Sequence, residues 1–126
     1  MFQNRVTLIG FLGKDAEKRV TKNDMPYTVL ALATKDSWKD RSGAWQSRTE
    51  WHRCIVWGAS FAAFAADIKK GAHLQVEGEL RSREYQKDGV THRIVEIRTK
   101  SVLKLDRAKQ QTEAVPQEAE PSDGPW

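Results

Sequence analysis

An all-β domain carrying a single helix is what this sequence predicts, and three observations carry that prediction. Five segments rich in β-branched and aromatic residues, bounded by glycine, proline or Asx turns, read as strands. Between the third and the fourth, the apolar period changes from that of a strand to that of a helix. Beyond Arg107 the composition collapses to proline, glutamine and acids, which bounds the folded part.

The chain is organised around residues 49–58, TEWHRCIVWG. Alternation along a strand puts Trp51, Arg53, Ile55 and Trp57 on one face and His52, Cys54 and Val56 on the other. Indole rings offer flat π-surfaces on which nucleobases stack, and arginine offers charge for a phosphate. The competing reading is that both tryptophans belong to the core, where tryptophan is mostly found.

Residues 4–12 form the first expected strand, with Gly10 marking a bulge or sharp bend. Residues 16–25 are polar and end before Pro26, so they read as a loop. Residues 27–34, YTVLALAT, are apolar on both faces and read as a central strand. Residues 35–48 read as a polar loop with Ser42-Gly43 at its tip, holding Trp38 and Trp45. Loops commonly carry function; the two tryptophans either pack back as a lid over the barrel or belong to a basic and aromatic arm that folds over a nucleic-acid strand.

In residues 59–70, Phe61, Phe64, Ala65 and Ile68 share a helical face, with Ser60 as the expected N-cap and Gly71 as the stop. The phenylalanines are expected in the core. Residues 73–83 alternate, with Leu74, Val76 and Leu80 on one side and Glu79, Arg81 and Arg83 on the other. Asp88-Gly89 is a hairpin tip, and residues 91–105 return as the last strand with Ile94, Val95, Ile97, Val102 and Leu103 as its apolar set.

A helix between the third and fourth strands of a five-stranded, antiparallel Greek-key barrel is the OB-fold arrangement, which binds oligonucleotides across its second and third strands and the flanking loops. Trp38, Trp51 and Trp57 then fall near the binding face. The expected division is an OB domain over residues 1–106 and a disordered tail over 107–126.

Charge agrees with a polyanion partner. Residues 1–109 carry 21 Lys and Arg against 13 Asp and Glu, a net of +8, and the remaining stretch carries four acids and no basic side chain. The expected phosphate contacts are Arg5, Lys35, Arg41, Arg48, Arg53, Lys70, Arg81, Arg83 and Lys87, which lie mostly on the aromatic strands or their flanking loops. One cysteine, no signal-peptide pattern and no long apolar run point to a cytoplasmic, nucleoid-associated protein without a membrane partner.

The segments NRVTLIGFLGKD, Ser37-Trp38, TEWHRCIVWG and VEGELRSREY, at this spacing, resemble the bacterial single-stranded DNA-binding protein family from Asn4 to about Leu105. The resemblance implies sequence-independent binding and protection of single-stranded DNA in replication, recombination and repair. It matches the family's stacking aromatics to Trp38, Trp51, Trp57 and Tyr85. The family more often has phenylalanine at the third of these, and tryptophan or tyrosine at the fourth. It matches the family's interface histidine to His52, which implies a homotetramer made of OB-fold dimers. The family tail ends in acids and Pro-Phe; here it ends Ser122-Asp123-Gly124-Pro125-Trp126.

An aromatic ring beside a terminal carboxylate is a compact docking unit, so Asp123, Pro125 and Trp126 are expected to recruit replication and repair proteins. Three rival readings are an enzyme using Cys54 with His52, an OB-fold replication-restart accessory that docks proteins, and a cold-shock-type RNA binder. No Asp/Glu/His cluster has metal-ligand spacing and no Gly-rich phosphate loop appears, so neither metal nor cofactor is expected.

Overall fold

A computed structural model describes residues 1–105. In chain order the elements are β1 (Val6–Leu12), β2 (Glu17–Val20), β3 (Pro26–Lys39), β4 (Trp45–Trp57), α1 (Ala59–Phe64) with a further turn of 3-10 helix at Ala65–Asp67, β5 (His73–Lys87) and β6 (Val90–Lys104). The strands lie in the order β1-β5-β6-β4-β3-β2, and β1 also pairs with β3. That last pairing, Phe11 with Ala33 and Leu12 with Leu32, closes five of the strands into a barrel and leaves β2 outside it on β3. The helix lies between the third and fourth barrel strands, as expected for an OB-fold.

Three details differ from the expectation. The barrel is not wholly antiparallel, because β4 and β6 pair in parallel at Cys54–Ile97 and Ile55–Arg98. Part of the expected loop at 16–25 is β2, a short edge strand whose polar sequence EKRV shows no alternation because it covers no core. The expected loop at 35–48 is mostly strand. β3 and β4 pair without a break from Tyr27–Trp57 to Lys39–Trp45, and the chain reverses only at residues 40–44. There the Asp40 carboxylate accepts from the backbone N–H groups of Ser42 and Ala44 and from the Ser42 hydroxyl. The Ser42 hydroxyl first, then the Ala44 N–H, hold this carboxyl below its usual range.

The core follows from the alternation. Leu12, Leu30, Leu32, Cys54, Val56, Leu74, Val76 and Ile97 point into the barrel, and Ile68 and Ala72 join them from the segment after the helix. The helix is shorter than its apolar period suggests. Gly58, not Ser60, is the N-cap, at φ 118°, and makes no side-chain cap. After Asp67 the backbone turns extended so that Ile68 can enter the core, which leaves Lys69 and Lys70 beyond the helix. Phe61 packs on the core, whereas Phe64 stays exposed, edge-on to Phe61 at 5.4 Å. The apolar set of β6 also divides: Ile97 is buried, Val95 and Leu103 are exposed.

Candidate nucleic-acid interface

The unbroken β3–β4 register decides which side chains share a surface. Cys54 and Val56 are buried in the barrel, so Trp45, Trp51, Arg53 and Trp57 stand on its outside. Trp45, Trp51 and Trp57 are 65%, 61% and 45% exposed, which removes the core reading. Exposed aromatics concentrated on one surface mark a contact site. Across the ladder this face continues through Tyr27, Ala31, Ala33, Lys35 and Lys39 of β3. Val29 and Ile55 pair there and are buried, giving the surface an apolar floor.

Each indole has a support. The Lys39 ammonium lies 5.6 Å from the Trp45 ring centre. The Trp57 and Tyr27 rings lie 4.9 Å apart. Trp51 lies over Gly13, in the turn after β1, where a Cβ would overlap the indole edge. Gly13→Ala is therefore expected to displace the Trp51 indole while leaving β1 paired. The expected result is a changed Trp51 emission and circular dichroism unchanged in the far ultraviolet; an unchanged Trp51 environment would refute the contact.

The β5–β6 hairpin adds to the same surface. Glu96 of β6 accepts from Arg53 Nε at 3.0 Å and from Arg83 Nε at 3.3 Å, so one carboxylate ties β4 to β5 across β6. Arg81, Arg83, Tyr85 and Lys87 alternate on the outward side of β5, and Tyr85 stacks on His92 at 5.1 Å. Aromatic planes and cations thus interleave along both arms, an arrangement suited to unpaired bases and their phosphates.

Some expected residues lie elsewhere. Trp38 and Arg48 stand on the opposite side of the β3–β4 arm from Trp51, and Arg48 pairs with Glu50 at 3.3 Å. Arg41 occupies the arm's turn. Arg5 precedes β1 and pairs with Glu77. Lys70 follows the helix in a segment tied to Asp15 and Leu12, next to the Gly13 that carries Trp51. His52 points away from Trp51 and its Nε2 lies 2.9 Å from the Thr34 hydroxyl. Asp123, Pro125 and Trp126 fall outside the described residues. The sequence reading named Trp45 as part of the arm without giving it a face, and did not name Lys39, Arg98 or Lys100 of this surface; Trp45, Trp51 and Trp57 recur at an even spacing, a signal available had the strand been read back to residue 45.

The nucleophile reading of Cys54 meets a physical obstacle. Burial pushes its thiol up to about 12, against a weaker opposing hydrogen bond with Thr99. At neutral pH it stays a protonated, inert thiol. The unfolded thiol ionises near its ordinary value while the native one does not, so native stability falls as pH rises from about 9 towards 12. Cys54→Ala is expected to flatten that part of the pH–stability curve; an equally steep loss in the variant would contradict it. Among the described residues no group of three His, Cys, Asp or Glu side chains is placed to hold a metal. No helix among them is long and apolar enough to cross a membrane.

Known proteins share this architecture. Residues 3–105 match the model of the single-strand binding protein family. A single-stranded DNA-binding protein 1 of Chlorobaculum tepidum is 42% identical over 82 residues, 65% of this chain and 51% of that protein. One from Xylella fastidiosa is 36% identical over 106 residues, 82% of this chain and 78% of that protein. The match thus spans about half of the first relative's length. Among solved structures, a Plasmodium falciparum SSB in complex with single-stranded DNA superposes with a TM-score of 0.74 at 25% identity, over 84% of this chain and 97% of that one. A deletion variant of the Thermus aquaticus single-stranded DNA binding protein gives 0.71 at 30% identity, over 82% of this chain and 51% of that one. With the family model matching nearly the whole barrel, and the barrel itself closed as in these relatives, the chain belongs to the single-strand binding protein family.

Proposed function

We propose that this chain binds single-stranded DNA without sequence preference, stacking bases on Trp45, Trp51, Trp57 and Tyr85 and holding phosphates with the cations between them. The observation that carries the reading is the outward face of β4, where three exposed indoles flank Arg53 on a buried apolar floor. Stacking uses the π-face every base has, so it tolerates any sequence, and it excludes a duplex, whose bases are not free. The relatives named for single-stranded DNA binding support it. Trp38, on the far side of the arm, contacts a strand that wraps around the hairpin. The protein acts by binding, not catalysis, in replication, recombination and repair, at the nucleoid.

Assembly is part of the proposal. β1 pairs with β5 along its length but with β3 only at Phe11 and Leu12, so most of one strand edge is open. Ile9 and Leu103 are exposed on either side of Gln75, an apolar patch for a neighbouring subunit. His52 serves a subunit interface in a homotetramer. Sedimentation equilibrium is expected to give a multiple of 14.4 kDa; a monomer at micromolar concentration would contradict it. The tail, through Asp123, Pro125 and Trp126, recruits partner proteins, and deleting residues 113–126 should leave DNA binding intact.

The test of binding is intrinsic tryptophan fluorescence, titrated with oligo(dT), oligo(rU) and a duplex of equal length. Strong saturable quenching by oligo(dT) and little by duplex is expected. Equal quenching by duplex would sink the stacking reading, and tighter binding of oligo(rU) would favour an RNA partner.

A further inference from the structure

β6 does not run evenly beside β5. Glu77 pairs with Ser101 and Gly78 with Thr99, so Lys100 is an extra residue, a β-bulge. The bulge turns the Lys100 side chain outward beside Arg98. It depends on Gly78, where a Cβ would overlap the Arg98 carbonyl oxygen. The outward side chains here line an open groove of about 430 Å³ with Trp57, Glu79, Arg81, Arg98, Thr99 and Lys100 around it.

The charges in this groove are not balanced. Glu79 Oε1 accepts from Arg81 Nη2 at 2.9 Å, and its Oε2 pairs with Lys100 Nζ at 2.9 Å. Those two cations hold the carboxyl below its ordinary value, Lys100 foremost. Both carboxylate oxygens are thus engaged, while Arg98 is exposed and enters no ion pair among the described residues. The Trp57 indole and the Arg98 guanidinium, which meets no carboxylate among the described residues, line the same groove. A flat apolar surface beside an unpaired cation complements a nucleotide, which has a ring to stack and an anion to pair.

We infer that the groove between Trp57 and the β6 bulge holds the phosphate next to the base stacked on Trp57. The base stacks on Trp57 and the adjoining phosphate is held by Arg98, with Lys100 kept in place by Glu79. This rests on the single-strand reading above and adds the path of the strand: it leaves the β3–β4 arm over Trp57 and crosses β6 at the bulge.

The experiment measures the affinity of the full chain for oligo(dT), by tryptophan quenching, from 0.1 to 1 M salt. Wild type is compared with Arg98→Ala and with Arg93→Ala. Arg93 pairs with Glu84 on the other side of the same hairpin, so it controls for the loss of one charge. Each phosphate contact to single-stranded DNA contributes about −0.7 to the log–log salt slope. Arg98→Ala is expected to make the slope shallower by about 0.7, so that its loss relative to wild type is about fivefold greater at 0.1 M than at 1 M salt. Arg93→Ala should leave the slope nearly unchanged. Equal slopes for Arg98→Ala and Arg93→Ala would overturn the subsite. Thermal melting of each variant excludes misfolding, and Arg98→Lys should restore most of the slope. If wild type itself fails to bind oligo(dT), the single-strand reading falls instead, so the two failures are distinct.

Discussion

Trp57→Ala and Trp51→Ala each weaken binding of oligo(dT) by about 1–3 kcal/mol, roughly 5- to 150-fold, while the protein stays folded. The prediction rests on exposure. Both indoles project from β4 away from the barrel, and the neighbours that make the core, Cys54 and Val56, point the other way. Removing a ring from the surface opens no internal cavity, so the large stability cost of a core tryptophan does not arise. The two sites differ in support. Trp57 leans on Tyr27 at 4.9 Å, and its removal leaves that ring as a partial platform. Trp51 lies over Gly13, which has no side chain to serve as a substitute platform, so its loss is expected to be the greater. Equilibrium titration with melting curves checks both. A folded variant with wild-type affinity would remove that tryptophan from the interface, and a variant that unfolds would return it to the core.

Gly10→Ala strikes the barrel itself. Gly10 sits where β1 stops pairing with β5 alone and begins to meet β3, one residue before the Phe11–Ala33 pair. A Cβ there would overlap the Ala33 carbonyl oxygen, which belongs to backbone and has little room to yield. Relief requires β1 and β3 to part at the one seam that closes the sheet. The expected loss is about 3 kcal/mol or more, at the upper end of overpacking effects. It exposes Leu12 and Leu32, which face each other across that seam. Because Trp51 pairs with Ala33, binding should weaken along with stability. Urea unfolding is the check; a midpoint matching wild type would show that the seam tolerates a methyl group.

What the sequence disclosed tracks where a core enforces alternation. TEWHRCIVWG reads correctly because half of it is pinned inside the barrel, and the same holds for Leu74 and Val76 of β5. Past the barrel that constraint ends. Apart from Trp38 and Trp45, the distal halves of β3 and β4 are polar on both faces, since neither covers a core, and so they look like a loop. Read as a loop, the arm gave no face to Trp45 or to Trp38. β6 was opaque for another reason. Its bulge at Lys100 shifts the alternation by one residue, so Val95 and Ile97 could be grouped with Leu103 although Leu103 faces outward, and Arg98 passed unnoticed. The helix stop was misplaced because Lys69, Lys70 and Gly71 imitate a C-terminus. The burial of Ile68, a tertiary demand, ends the helix sooner.

The central claim is that one face, built from β4 outward and joined to β5 by Glu96, carries the single strand. Photo-cross-linking to an oligonucleotide carrying iododeoxyuridine, followed by mapping of the attached residues, tests it most directly. The account predicts attachment at Trp51, Trp57 and Tyr85, with Trp45 reached by longer strands. Attachment confined to the surface around Ile9 and Leu103, with none at Trp51 or Trp57, would contradict it.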